Sequence, residues 1–218
     1  MEKFGYSYSV IDLPAGNREA AQTLVILGLS QGGASEIAGL LRRMGLHLGN
    51  EIDEASSEDT EIIAAAHPVS DLIDPNAPNH ASAKAKLTDL IAKKNKDAPS
   101  WGWKDARAAL YLPLIFDALV NPKIVAVFSD YCKIATGEHQ NFGRDHLKSM
   151  EDAHRIYGAI LECLQSLKAP KMIVSYEQAI RHPVEATTAL AQFTQAPIVE
   201  TDIPRIARYL DLSDTGKA

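Results

Sequence analysis

Cysteine is scarce in this chain, with 2 residues in 218, Cys132 and Cys163. Two thiols cannot make a disulfide framework, and so few fit a reducing compartment. Neither has a neighbour at metal-ligand spacing, so each reads as a small core or helix residue. Long apolar runs are missing as well. The best, over 108–120, is interrupted by Pro113 and Asp117 and falls short of the roughly 18–20 residues of a membrane span. Met1 to Asp12 lacks the basic start and apolar centre of a secretion signal. A cytoplasmic protein is expected. There is no basic excess either: the formal net charge is −6. That excludes nucleic acid and an anionic membrane as general partners and confines any anion site to a local feature. His139, His146 and His154 fall in one region at spacings that match no metal site.

What is present is an ordinary globular composition, 46% apolar and 23% charged. The length suits a single domain over 1–218, with an edge segment at 1–20, a helical insertion over 50–100 and a tail over 200–218. Its centre is Leu24-Val25-Ile26-Leu27, a β-branched apolar run of the kind that forms a parallel strand buried on both faces. The loop Gly28 to Ser35 follows, then an amphipathic helix with Ile37, Leu40, Leu41 and Met44 on one face. Gly28-x4-Gly33-Ala34-Ser35 has the frame of a phosphate-binding loop, with Ala34 where the lysine belongs. Backbone N–H groups and a helix N-terminus converge on an anion in such a loop. Gly28, Ser30, Gln31, Gly32, Gly33, Ala34 and Ser35 are therefore binding candidates.

Along the chain, Tyr6 to Leu13 reads as an edge strand ended by the turn Pro14 to Asn17. Gly45 suits a left-handed helix end, Asn50 to Asp59 a surface loop, and Thr60 to His67 a short helix stopped by Pro68. Ser82 to Lys94 reads as an exposed helix, with Lys84, Lys86, Lys93, Lys94 and Lys96 as its solvated face. Trp101 to Lys104, Lys123 to Phe128 and Met172 to Val174 are further strands, and both tryptophans read as core. Helices are expected over Ala106 to Leu119, over a region broken near Gly137 to Gly143, over Ser149 to Leu167, and from Pro183 to about Phe193. Strands alternating with helices imply an α/β fold of three αβα layers around a mostly parallel sheet, with ligands at the strands' carboxyl ends. Those ends carry Lys104, Asp105, Arg107, Ser129 and Lys133. Read alone, Lys104 and Asp105 could equally form a buried ion pair and a helix cap, and Asp130 an N-cap.

Three strand ends resemble those of the bacterial sulfotransferases. VILGLSQGGASEIAGLLRRMGLHLG (Val25 to Gly49) is similar to that family's first motif, WGWKDAR (Trp101 to Arg107) to its WGWKDPR, and KIVAVFSDYCKIATG (Lys123 to Gly137) to its third motif. VSYE (Val174 to Glu177) matches a fourth, weaker element. The resemblance implies a P-loop-like topology and 3′-phosphoadenosine 5′-phosphosulfate (PAPS) as donor, with PAP as its desulfated product. Its 5′-phosphosulfate would sit on the first loop, and its 3′-phosphate at the third motif. The reaction implied is in-line sulfuryl transfer to a hydroxyl or amine of a small acceptor, with Lys104 on the sulfuryl oxygens and Asp105 as base or supporting carboxylate.

The chain departs from the family at working positions: Gln31 and Ser129 stand for arginines, Ala34 for threonine and Gly137 for serine. Two lost charge-assisted contacts amount to about 3–6 kcal/mol, with Lys133 the nearest compensating cation. Two further classes compete: a non-catalytic relative that binds an anion, nucleotide or partner protein, and a kinase or NTPase, against which Ala34 counts. No metal is expected, and self-association into a homo-oligomer is left open.

Overall fold

Leu24, Val25, Ile26 and Leu27 are all 2% exposed or less, and they alternate between two cores. Val25 and Leu27 face one cluster with Trp101, Trp103, Ile124 and Ala126, while Leu24 and Ile26 face another with Val125, Val127, Met172 and Val174. A strand buried on both sides has no solvated face, which is why the run is apolar without interruption.

The computed structural model describes residues 3–5, 7–11, 21–53 and 56–215. The turn expected at Pro14 to Asn17 lies outside them, as do the last three residues of the expected tail. The strands are β1 (Lys3–Phe4), β2 (Tyr8–Ile11), β3 (Gln22–Leu27), β4 (Ile52–Asp53), β5 (Glu58–Asp59), β6 (Ser100–Lys104), β7 (Lys123–Phe128) and β8 (Lys171–Ser175). The helices are α1 (Ala34–Arg43), α2 (Thr60–Ala65), α3 (Val69–Ile73), α4 (His80–Asp97), α5 (Ala108–Ile115), α6 (Tyr131–Phe142), α7 (His146–Ser166), α8 (Tyr176–Arg181), α9 (Pro183–Thr194) and α10 (Ile203–Thr215).

Among the described residues the main sheet has six strands in the order β1-β2-β8-β7-β3-β6. β6, β3, β7 and β8 are parallel, and β2 joins β8 antiparallel. Helices α1, α8, α9 and α10 cover one face, and α2, α4, α5 and α7 the other, giving three αβα layers. The chain leaves β3 to one side for β6 and then crosses to its other side for β7. The crevice at the carboxyl end of β3 is thus a point where strand order reverses, the usual ligand position in open α/β sheets.

Local chemistry explains the ends. Gly45, at φ +86°, closes α1 in the left-handed conformation, and the Leu46 amide reaches back to the Leu41 carbonyl. Asp130 caps α6 through the amides of Cys132 and Lys133.

The helical break expected near Gly137 to Gly143 falls at Gly143, φ +66°, with α6 continuous through Gly137 and Asp145 capping α7. Two expectations need correction. Residues 50–59 are more than a surface loop: β4 and β5 pair there, and Asp59 is fully buried as the N-cap of α2. Lys94 is not solvated, being 4% exposed with its ammonium 2.7 Å from Asp59 and 2.8 Å from Glu61.

Candidate active site

The loop after β3 turns tightly because two of its residues are left-handed, Gln31 at φ +58° and Gly33 at φ +84°. A side chain at Gly33 would run into the Tyr176 ring, which lies 2.2 Å from where a Cβ would sit. At Gly28 a Cβ would come within 2.7 Å of the Ala34 methyl, so glycine there lets β3 approach the start of α1. A left-handed glutamine is uncommon outside constrained sites. Its side chain lies against Gly137 of α6, whose missing Cβ would meet it at 3.0 Å. Gly32, Gly33 and Ala34 are buried, Ser30 is exposed, and α1 begins with no side-chain cap on its amides. The Gly32 amide donates to the Leu29 carbonyl at 3.1 Å, and Ala34 brings no cation to the start of α1.

A buried lysine stands at the end of the neighbouring strand. Lys104 ends β6 beside Ile26, is 2% exposed, and donates to Glu58 at 2.9 Å. Glu58 remains 24% exposed on its side chain. Two residues earlier the Ser56 carbonyl accepts the Ser35 hydroxyl at 2.9 Å. The segment around β5 is therefore tied both to the start of α1 and to the end of β6. Sequence reasoning missed Glu58, whose one local signal was an acidic pair before a helix.

Asp105 is 1% exposed and fully engaged: one oxygen accepts the Arg107 amide, the other the Tyr111 hydroxyl, each at 2.8 Å. Burial and this carboxylate hold the Tyr111 hydroxyl well above the ordinary tyrosine range. Arg107 lies 3.7 Å from Asp105 and is half-buried. The geometry at Asp105 is that of an Asx turn leading into α5, whose N-cap is Arg107.

The end of β7 is equally filled. Ser129 donates its hydroxyl to Glu177, and the Asp130 amide donates to the same oxygen at 3.0 Å. The Ser129 amide donates to the Tyr157 hydroxyl at 2.8 Å. Burial, then Glu177, Tyr131 and Asp130, push the Tyr157 hydroxyl up to about 12 against the lowering bond to Ser129. Tyr157 also neighbours Gly32, where a Cβ would lie 3.5 Å from its oxygen, so the loop and this strand end share one wall. Lys133 extends its ammonium over the Tyr176 ring, 4.3 Å from the centroid.

The loop after β3, Lys104 at the end of β6 and Ser129 after β7 thus lie at the carboxyl ends of three adjacent parallel strands, while Asp105 turns into the interior toward Tyr111. A hollow lined by Gln165, Leu167, Lys168, Ala169, Pro170 and Lys171 sits at the opposite, amino end of β8. Among the described residues no group of three or more His, Cys, Asp or Glu is placed to hold a metal ion.

A glycine loop between strand and helix at the switch point of a parallel sheet defines a P-loop-like α/β protein. No family model and no curated protein matches the chain. Among solved structures, an unliganded sugar kinase from Janibacter sp. HTCC2649 is similar at 12% identity over 81% of this chain and 96% of that one, with a TM-score of 0.45.

Proposed function

We propose that the chain is a sulfotransferase-like enzyme that moves a sulfuryl group from a nucleotide phosphosulfate of the PAPS class to a hydroxyl or amine of a small acceptor. The observation that carries this reading is the Lys104–Glu58 pair beside the glycine loop. Sulfuryl transfer needs donors on the transferring oxygens and a base beside the acceptor. The amides of Gly33, Ala34 and Ser35 supply the first, Lys104 adds the cation, and Glu58 is the base. The acceptor oxygen or nitrogen attacks sulfur in line, and its proton passes to the Glu58 carboxylate. The bond from sulfur to the donor's phosphate oxygen breaks, and the electron pair leaves with the nucleotide. Asp105, committed to Tyr111 and Arg107, supports the strand end without touching the reacting atoms.

A general base contributes about 10²–10⁴-fold. Glu58→Gln is expected to slow donor consumption, measured across a panel of hydroxyl and amine acceptors, by about that factor while donor-induced thermal stabilisation persists. Unchanged turnover would remove Glu58 from the reaction. A second reading, a relative that binds an anion or nucleotide without transfer, is favoured by the engagement of Ser129 and Asp130 with Glu177. It predicts stabilisation by nucleotide with no turnover for any acceptor. A kinase reading has the fold but, with Ala34 buried at the lysine position, no loop cation for a transferring phosphoryl group.

A further inference from the structure

Resting on the sulfuryl-transfer reading, we infer that the donor this crevice accepts carries an unphosphorylated ribose 3′-hydroxyl, as in adenosine 5′-phosphosulfate, and that Glu177 is the residue that excludes a 3′-phosphate.

The strands that flank β3 are β7 and β6, and on the sulfuryl-transfer reading the ribose of a nucleotide whose phosphosulfate sits on the loop lies beside one of them. The end of β6 is taken by Lys104 and Glu58, the acceptor side. That leaves the end of β7, which is built to refuse an anion. The Ser129 amide is used by Tyr157, the Asp130 amide by Glu177, and the Cys132 and Lys133 amides by the Asp130 carboxylate at 2.8 and 3.1 Å. The Ser129 hydroxyl also donates to Glu177. A phosphate arriving here meets two carboxylates and spent amides, with the Lys133 ammonium held over the Tyr176 ring.

A hydroxyl meets something different. Both bonds to Glu177 end on Oε1, and Oε2 has no partner among the described residues. Glu177 is only half-buried, so that oxygen can accept from a ribose hydroxyl. The contiguity of the two subsites follows from Tyr157, whose hydroxyl bonds Ser129 and borders Gly32 of the loop. A carboxylate that accepts from a hydroxyl and repels a phosphate discriminates by both attraction and repulsion.

The test is calorimetric titration of the full chain with adenosine 5′-phosphosulfate, PAPS, AMP and PAP, repeated on Glu177→Gln. The amide oxygen of glutamine can still accept from Ser129 and Asp130, but the charge is gone. The wild type is expected to bind each 3′-hydroxyl nucleotide at least tenfold tighter than its 3′-phosphorylated counterpart, and Glu177→Gln to shrink that ratio at least tenfold by gaining affinity for PAPS and PAP. Equal or tighter binding of PAPS by the wild type overturns the inference while leaving the transfer reading standing, as does an unchanged ratio in a folded Glu177→Gln. Should the variant fail to fold, the wild-type ratio decides alone. Binding of none of the four nucleotides overturns both.

Discussion

Lys94 reaches out of a row of lysines into the interior, where Asp59 is fully buried. Burial alone would pull its ammonium down, but the hydrogen bonds and charges of Asp59 and Glu61 outweigh it and raise it overall. Removing one partner of a buried pair leaves the other uncompensated. Lys94→Met is therefore expected to destabilise the fold by about 3–5 kcal/mol, read as a lower urea midpoint with an unchanged slope. A loss below about 1 kcal/mol would mean that Asp59 is served by water or another cation. Gly33 makes a second residue-level demand. Gly33→Ala places a Cβ at φ +84° and into the Tyr176 ring, so it is expected to lower stability by about 1–2 kcal/mol from the backbone alone. A melting temperature equal to the wild type's would show that Tyr176 can move off the loop without penalty.

At the scale of elements, the β4–β5 segment hangs over the loop by the Ser35–Ser56 bond at one point and the Glu58–Lys104 bond at another. Ser35→Ala is expected to cost about 0.5–1.5 kcal/mol and to speed amide exchange at residues 56–58 relative to β3. Protection unchanged at those amides would mean that the Glu58–Lys104 and Asp59–Lys94 pairs hold the segment without the Ser35 bond. The parallel strands were legible in advance because Leu24–Leu27, Trp101–Lys104, Lys123–Phe128 and Met172–Val174 are short apolar runs between turn residues. Asp130 was legible as a cap for the same local reason. Glu58, Asp59 and Lys94 were not, since Lys94 meets Asp59 across 35 residues and Lys104 meets Glu58 across 46. Nothing in the row Lys93, Lys94, Lys96 marks which lysine turns inward. The break near Gly137 to Gly143 was legible from its glycines and falls at Gly143; Gly137, a helical glycine that would ordinarily weaken a helix, lets α6 close on Gln31.

For the molecule as a whole, buried titratable groups shape the alkaline side of the stability curve. Lys123 is 5% exposed, donating to the Phe193 carbonyl at 3.0 Å and to Gln195 at 3.1 Å, and burial brings its ammonium down to about 8. Between pH 8 and its ordinary value of 10.5 the folded chain releases this proton while the unfolded chain keeps it, so stability rises with pH. Tyr157 acts oppositely: with its hydroxyl up at about 12, the unfolded chain deprotonates first and stability falls from pH 10 to 12. Denaturant melts of the wild type against Lys123→Met should shift in favour of the wild type through the first window, and against Tyr157→Phe should shift away from it through the second. A pH-independent difference in either pair would show that the group titrates alike in both states.

The place of β3 in the sheet also bears on how the chain is made. Its neighbours end at residues 104 and 128, so the strand that carries the loop leaves the ribosome with nothing to pair against. At roughly 5–20 residues per second, Leu24 to Leu27 waits on the order of 4–15 s for β6. Through that interval this apolar strand has neither of its parallel neighbours to cover its edges.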